Sequence, residues 1–354
     1  MCAKNNIVEQ IREKIARMSQ ESQRGVILQP GAIGDCILTL PLAEFMKETV
    51  CRGGVDIIGH TEYIGILPGR SSVDAVISTD AMDLHRLFIK ESEFALADGD
   101  LLIMSFADYT WIVTFLGGSD SDFEQNLIFT ANCSHSAEVM TLEMKPKEGK
   151  VKHISDFYKE QFVAQSGLSA KDGKPTAIKP LIRPTQADRD KGREILDEAG
   201  VSQTLRPVII HPGSGGVHKC WHLDNFLSAA GMLAKQGAEV VFLIGPAEQE
   251  RFGEATTAKI GFASRILSNL PLTDVLAVLS CARGYIGNDS GITHLAAALG
   301  LRTVAVFGPT EPAVYGPVGP AVTVLRSKGL DFTAAISKEL QEKTVTAMLE
   351  DKTP

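Results

Sequence analysis

An aspartate, Asp35, directly follows the glycine turn PGAIG, which itself comes after a short apolar run. Gly31 and Gly34 would let the backbone turn tightly and approach a ligand closely. An apolar stretch of helical character follows, so the carboxylate lies near a helix start, where the helix dipole favours its ionised form. Two interpretations are open: an ordinary helix-start acid, or a general base at the mouth of a site. The glycine spacing differs from the dinucleotide-binding pattern G-x-G-x-x-G.

A second glycine-rich stretch, HPGSGGVHKCW, has the residues of an anion-binding loop. Its glycines and Ser214 could present a nest of backbone N–H groups, and Lys219 would add a positive charge. The stretch is not a P-loop, because His218 stands where that motif needs glycine and Cys220 where it needs serine or threonine. His218 and His222 have a spacing that metals use, but nothing nearby completes a ligand set, so no metal is expected.

Two acids, Glu248 and Glu250, begin the helix expected within LIGPAEQERF. Acids are favoured at helix starts by the dipole, which is one interpretation. The other is that one of them accepts hydrogen bonds from both hydroxyls of a ribose, as an acid does in nucleotide-binding α/β folds. The sequence does not decide which of the two would do so.

The stretch GNDSGITHLAAALG joins the end of a strand to the start of an alanine-rich helix, which either Asp289 or Ser290 caps. The free N–H groups of that helix start, with the hydroxyls of Ser290 and Thr293, form an anion site. His294 lies one turn further and is expected to point toward the same place. The register differs from that of a G-x-S-x-G nucleophile turn.

These motifs follow strands that alternate with helices, which predicts an α/β protein of βαβ units with parallel sheets. Ligands of such folds bind outside the carboxyl ends of the strands. Residues 110–150 are expected to be loops with short elements. Strands are predicted at 25–29, 55–59, 74–79, 101–106, 207–211, 239–244, 284–288 and 303–308. Helices are predicted at 34–48, 153–166, 187–200, 222–236, 247–257, 272–281, 291–299 and 332–350.

The chain has 354 residues, enough for two domains, and a polar connection over 169–186 separates two α/β halves. We therefore predict two Rossmann-like domains that face a central cleft. Apart from the Asp35 turn, the anion-binding features lie in the second half, which predicts a donor-binding domain opposite a base-bearing acceptor domain. The predicted parts are an N-terminal helical extension (1–24), an acceptor-binding domain (25–180), a donor-binding domain (181–330) and a C-terminal helix (331–354).

Composition and charge bear on the partners and the location of the protein. A net charge of −8 and a pI near 5.6 argue against nucleic acid as a partner. Six cysteines without a C-x-x-C pair, no apolar run of about 20 residues and no secretory leader together predict a cytoplasmic protein. The stretch from Glu91 to Met144 has no Lys or Arg but ten Asp or Glu. It is either a solvated acidic face or a surface that does not hold a heavily anionic ligand.

As a set, five stretches over roughly residues 26–318 resemble glycosyltransferase family 9, the heptosyltransferase family of lipopolysaccharide core assembly. They are GAIGDCILTLP, IIHPGSGGVHKCW, GPAEQERF, IGNDSGITHLAAALG and VAVFGPTEP. The resemblance implies a GT-B fold and an inverting, metal-independent transfer without a cofactor. The donor would be a nucleotide sugar, typically ADP-heptose, and the acceptor a glycan or glycolipid. It also leads us to expect peripheral contact with the cytoplasmic face of the inner membrane.

The resemblance also implies roles for individual residues. Asp35 matches the proposed catalytic base, Lys219 a lysine that neutralises the donor diphosphate, and Glu248 or Glu250 the acid that holds the ribose. The family's diphosphate-gripping and sugar-gripping loop matches Asp289, Ser290, Gly291, Thr293 and His294. Two departures are the 24 residues before the first strand and the Lys- and Arg-free stretch, since the family supplies such residues to anionic acceptors. The alternatives are a nucleotide-sugar epimerase and a non-catalytic nucleotide-sugar binding protein.

Overall fold

The computed structural model describes residues 23–146, 149, 151–168, 179–202, 204–327, 332–333 and 336–350. By internal contacts they form two compact units: Ile33–Leu38 and the described residues from 179 onward belong to the second unit, and the others to the first. The helix predicted over residues 1–24 lies outside the described residues, except that Arg24 begins the first strand. A bilayer-spanning helix, which would need length and apolarity together, is absent from this described part.

The first unit is built on a five-stranded parallel sheet in the order β3-β2-β1-β4-β5. Its strands are short apolar runs; every residue of β2 is buried, as expected where both faces of a parallel sheet are covered. The elements are β1 (Arg24–Leu28), α1 (Ile33–Thr49), β2 (Gly54–Gly59), α2 (Thr61–Ile64), β3 (Val76–Ser78), α3 (Leu101–Phe106), β4 (Trp111–Thr114), α4 (Asp122–Ala131), β5 (Glu138–Thr141) and α5 (Ile154–Ser166).

One predicted strand is wrong: LLIMSF, residues 101–106, forms helix α3. Asp100 caps this helix, since its side chain accepts a hydrogen bond from the Leu102 N–H at 3.0 Å. Only Leu102 and Phe106, four residues apart, are buried, whereas Met104 is exposed. The periodicity of a short apolar run does not distinguish strand from helix, and the Asp100 cap favours the helix.

The second unit is built on a six-stranded parallel sheet in the order β11-β10-β9-β6-β7-β8. Helices connect its strands, and the central strands β6, β7 and β9 are buried along their whole length. The elements are α6 (Gln186–Glu198), β6 (Val208–His211), α7 (Leu223–Lys235), β7 (Val240–Ile244), α8 (Pro246–Ala263), β8 (Arg265–Ser268), α9 (Leu272–Cys281), β9 (Gly284–Asn288), α10 (Gly291–Ala298), β10 (Arg302–Phe307), α11 (Pro312–Tyr315), β11 (Val322–Arg326) and α12 (Lys338–Leu349).

Three features of this unit differ from the prediction. Strands β8 and β11 lie at the two sheet edges, where few of their residues are buried and no continuous apolar run marks them. Helix α8 is longer than predicted and is interrupted at Gly253, whose φ of 64° and ψ of 176° are not helical. The C-terminal helix α12 is shorter than predicted, because Ser337 caps it by accepting a hydrogen bond from the Leu340 N–H.

Candidate active site

The central strands β9, β6 and β7 lie side by side in the second sheet. They pair in parallel, with Ile210 of β6 opposite Ile286 of β9 and Phe242 of β7, so their carboxyl ends meet at one edge of the sheet. The stretches that follow these three strands carry the anion-binding and ribose-binding candidates of the sequence. Residues 212–221, which follow β6, are called the glycine-rich loop below.

Asn288, the last residue of β9, fixes both ends of the glycine-rich loop. Its side-chain oxygen accepts a hydrogen bond from the Trp221 N–H at 2.9 Å, and its side-chain nitrogen donates to the Pro212 carbonyl at 2.8 Å. Asn288 is fully buried, so water does not compete for these bonds. Asn288 was not among the candidates from the sequence, although its position at a strand end beside Asp289 was a usable signal.

Ser214 and Lys219, two candidates in the glycine-rich loop, both bind Asp289. The Ser214 hydroxyl donates to the Asp289 carbonyl at 2.6 Å, and the Lys219 ammonium donates to a carboxylate oxygen of the same residue at 2.8 Å. The Asp289 side chain is 7% exposed and that of Lys219 is 33% exposed. The loop and the segment before α10 are therefore joined by a salt bridge with one accessible side.

Asp289 is held in its ionised form. Burial alone would raise the pKa of Asp289, but interactions with His294, Lys219 and Thr310 outweigh burial and lower the pKa to about 2. Thr310 lies beyond the end of β10 and was not among the candidates. At neutral pH the Asp289 carboxylate is thus negative, and it forms its salt bridge with the Lys219 ammonium.

Ser290, rather than Asp289, is the N-cap of helix α10. Its hydroxyl oxygen accepts from the Thr293 N–H at 3.3 Å and lies 3.0 Å from the Thr293 hydroxyl. The Thr293 hydroxyl also donates to the Asn288 carbonyl and lies 3.1 Å from the Tyr285 hydroxyl. Both hydroxyls that the sequence offered to an anion are engaged within the protein, and they connect the helix start to the end of β9.

His294 lies in the first turn of α10 and is 4% exposed. Its Nε2 atom lies 3.8 Å from a carboxylate oxygen of Asp289. Its Nδ1 atom is buried, and no hydrogen-bond partner for it exists in the described part of the chain. A buried polar atom without a partner is uncommon, because leaving it unsatisfied destabilises the protein. His294 is therefore the residue of this cluster with an unused polar group.

The start of α1 contacts the start of α10 at backbone distance within the second unit. A Cβ atom placed on Gly291 would lie 2.7 Å from the Ile33 Cβ, and one placed on Gly34 would lie 3.2 Å from the His294 Cδ2. An alanine at Gly291 would therefore push Ile33 away, whereas an alanine at Gly34 would need only a small shift of the His294 ring. The other glycine of that turn, Gly31, donates its N–H to the Gln29 side chain at 3.0 Å.

Asp35 is the third residue of α1 and is one of the residues that group with the second unit. Tyr315, at the end of α11, is half-buried, and the pKa of its phenol depends on nearby charges. Burial raises the pKa of Tyr315, the charge of Asp35 raises it further, and the charge of Lys219 lowers it. The Tyr315 phenol is thus within electrostatic reach of both charged candidates. It was not a candidate from the sequence.

The two glutamates at the start of α8 lie in different surroundings. Glu248 is 5% exposed, and its carboxylate accepts from the Gly245 N–H at 3.0 Å. A Cβ atom placed on Gly213 would lie 2.1 Å from the Glu248 carboxylate, so this acid rests directly on the glycine-rich loop. Glu250 is exposed on α8. The structure brings Glu248, and not Glu250, to the loop.

Arg251 also contacts the glycine-rich loop, and the sequence analysis did not single it out. Its guanidinium donates to the Cys220 sulfur at 3.0 Å and to the Ser214 carbonyl at 3.4 Å. It follows Glu248 by three residues, which places both side chains on one face of the helix. This spacing was the one signal that sequence offered.

No group of three or more His, Cys, Asp and Glu side chains lies close enough to hold a metal ion within the described ranges. The two histidines with metal-like spacing are used otherwise. The ring of His218 lies over Gly216, where a Cβ atom would meet it at 2.7 Å. The ring of His222 caps α7 by accepting from the Asp224 N–H at 3.2 Å.

Comparison with known proteins assigns the chain to a family. Residues 168–345, about half of the chain, match the model of glycosyltransferase family 9 (heptosyltransferase). Lipopolysaccharide heptosyltransferase 3 of Escherichia coli is 22% identical over 296 residues, which cover 78% of this chain and 81% of that protein.

Two solved structures share the fold. The glycosyltransferase of family 9 from Veillonella parvula superimposes with a TM-score of 0.70 at 19% identity, over 93% of this chain and 98% of the other. The ADP-heptose lipopolysaccharide heptosyltransferase II of E. coli superimposes with a TM-score of 0.69 at 16% identity, over 92% and 99%. The fold is therefore of the GT-B type, with two parallel α/β units. The chain belongs to glycosyltransferase family 9, the heptosyltransferase family, and is a glycosyltransferase.

Proposed function

We propose that this protein transfers heptose from ADP-heptose to a hydroxyl of a lipopolysaccharide-core or related glycan acceptor, with inversion and without a metal. The second unit would bind the donor and the first unit the acceptor. Family membership supports heptose transfer, and the structurally similar E. coli protein is described by its use of ADP-heptose. As a cytoplasmic enzyme with a glycolipid acceptor, it would contact the inner membrane peripherally.

The observation that carries this proposal is the joining of the glycine-rich loop to the start of α10 through Lys219 and Asp289. An ammonium has three N–H donors, and the salt bridge uses one, so the others remain for the donor diphosphate. The N-terminus of α10 adds positive potential at the same place. Lys219 and the helix start would stabilise the negative charge that develops on the leaving ADP, which is the role otherwise given to a metal.

Asp35 would act as the general base. It would take the proton of the acceptor hydroxyl while that oxygen attacks the anomeric carbon from the face opposite the diphosphate. The new glycosidic bond forms as the bond to the diphosphate breaks, ADP leaves, and the anomeric configuration inverts. Positioned base catalysis of this kind typically contributes about 10²–10⁴-fold in rate.

Two further residues are assigned roles by their surroundings. Of the two glutamates, we assign the ribose to Glu248, because it rests on the glycine-rich loop while Glu250 is exposed. We assign to His294 a contact with the donor, because its buried Nδ1 has no partner in the described part of the protein.

The test begins with calorimetric binding of ADP, UDP, GDP and CMP in the presence of EDTA. Selective binding of ADP is expected, and binding of none of the four would contradict the donor site. Incubation with ADP-heptose and a truncated core acceptor should then release ADP and give a product of inverted configuration, read by NMR. An epimerase would instead return an altered but uncleaved nucleotide sugar, and a binding protein would return it unchanged.

A further inference from the structure

Arg251 connects helix α8 to the glycine-rich loop at two points. One N–H of its guanidinium reaches the Cys220 sulfur at 3.0 Å and another reaches the Ser214 carbonyl at 3.4 Å. Burial raises the pKa of Cys220, which keeps the thiol neutral, so the contact is a hydrogen bond and not an ion pair. Arginine suits this position because its planar fork holds several donors in fixed directions.

The opposite side of the loop is tied to β9 and α10. Asn288 holds both loop ends, and the Ser214 hydroxyl binds the Asp289 carbonyl. Ser214 is therefore held from both sides, by its hydroxyl on one and by its carbonyl on the other. Between these ties the loop contains Gly215 and Gly216, which give a free backbone more conformational freedom than other residues would.

Lys219 directly precedes Cys220, which is one of the two residues to which Arg251 donates a hydrogen bond. Arg251 thus holds the side chain of Cys220, the residue next to the lysine, whereas Asp289 holds the ammonium of Lys219. A lysine has four rotatable side-chain bonds, so its ammonium is placed accurately only if its backbone is fixed. Nothing else on α8 in the described part of the chain donates a side-chain hydrogen bond to this loop.

We propose that Arg251 is a positioning residue for donor binding: it clamps Ser214 and Cys220 so that Lys219 reaches the diphosphate. The inference rests on the proposed function, because it takes Lys219 as the diphosphate ligand. Arg251 acts through the loop and does not itself contact the donor.

A double-mutant cycle tests this directly. Arg251→Ala, Lys219→Ala and the double variant are compared with the native protein for ADP affinity by calorimetry and for kcat/KM. Arg251→Ala alone should weaken ADP binding about tenfold, the effect of a lost charge-assisted hydrogen bond. In a Lys219→Ala background the same change should have little further effect, because residues that act through one another are not additive. Additive losses would mean that Arg251 contacts the donor itself, and unchanged affinity would mean that the clamp is irrelevant; either result overturns the proposal.

Two more variants sharpen the result. Arg251→Lys keeps the charge but loses the planar fork of donors, so it should bind ADP as weakly as Arg251→Ala. Recovery of native affinity would show that charge alone matters and would overturn the proposal.

Arg265→Ala is the matched control. That arginine also belongs to the second unit and makes a side-chain contact, to Glu239 at 3.0 Å, but it begins β8 and does not contact the loop. ADP affinity should be unchanged in it.

Hydrogen exchange of the loop amides separates this inference from the proposed function, because it needs no nucleotide. Exchange over residues 213–220 should be faster in Arg251→Ala than in the native protein and unchanged in Arg265→Ala. Unchanged exchange in Arg251→Ala would disprove the clamp. Faster exchange in a protein that binds no ADP would retain the clamp and reject the donor site.

Discussion

The Lys219 ammonium lies 2.8 Å from a carboxylate oxygen of Asp289, across the gap between the glycine-rich loop and the start of α10. One partner is almost fully buried and the other is one-third exposed. The salt bridge therefore has two effects. It closes the loop onto the sheet edge, and it holds a cation beside a helix N-terminus, where an incoming anion would meet both.

Asp289 predicts a specific dependence of stability on pH. Its pKa is lowered from 3.8 to about 2 in the folded protein. Because the folded-state value is below the unfolded-state value, the stabilisation is complete above about pH 4 and is lost as the pH falls toward 2. Its size corresponds to about 2 kcal/mol. The free energy of unfolding from urea denaturation should therefore fall more steeply below pH 4 in the native protein than in Asp289→Asn. Parallel pH curves for the two proteins would contradict the ionised, paired state of Asp289.

Replacement of the proposed base separates binding from chemistry. Asp35→Asn should lower the rate of transfer about 10²–10⁴-fold, because the acceptor hydroxyl loses its proton acceptor. ADP affinity should remain close to native. Rates are measured by ADP release and affinity by calorimetry. The matched control is Asp274→Asn, another acid in the first turn of a helix. It should keep full activity and lose only about 0.3–1 kcal/mol of stability from the helix dipole. Native turnover in Asp35→Asn would mean that Asp35 is an ordinary helix-start acid and not the general base.

The pKa of the Tyr315 phenol depends on the charges of Asp35 and Lys219. Because the negative charge of Asp35 raises the pKa of Tyr315, Asp35→Asn should lower it. Because the positive charge of Lys219 lowers that pKa, Lys219→Met should raise it. Ultraviolet titration of phenolate, with Tyr315→Phe subtracted as the blank, measures both shifts. Tyr109 and Tyr285, whose pKa values are raised further by burial, ionise later and interfere little. Shifts of the same sign in both variants would contradict the opposite effects of the two charges on the pKa of Tyr315.

Two glycine-to-alanine changes should have opposite effects on stability. A Cβ atom on Gly291 would lie 2.7 Å from the Ile33 Cβ, so Gly291→Ala should force the starts of α1 and α10 apart, at about 1–3 kcal/mol. Gly231, in the interior of α7, has no atom within 4 Å of the added Cβ. Gly231→Ala should stabilise the protein by about 0.5–1 kcal/mol, since alanine is the better helix former. Thermal unfolding compares the two, and equal effects would show that the Gly291 contact is not tight.

The sequence alone predicted the parallel α/β architecture, because buried parallel strands are short apolar runs that alternate with helices. It also named Ser214, Lys219 and Asp289, which the structure brings together, because loops at the carboxyl ends of neighbouring strands must meet. What it lacked was contact over long sequence distances. Arg251 and Asn288 act on the glycine-rich loop from other strand ends, and only weak local signals mark them: a strand-end position for Asn288 and a three-residue spacing from Glu248 for Arg251. The choice between Glu248 and Glu250 depended on which helix face meets the loop.

The break at Gly253 divides α8 into two helical pieces, the first of about two turns. An unbroken helix moves as a rod, because its hydrogen bonds run along its whole length. Here the backbone of Gly253 leaves the helical conformation two residues after Arg251, so the rod is divided. The short N-terminal piece bears Glu248 and Arg251, whose side chains contact the glycine-rich loop, while the longer piece bears Ile260, which is buried in the core. The direction of the piece that contacts the loop is therefore set at Gly253 and not by the axis of the longer piece.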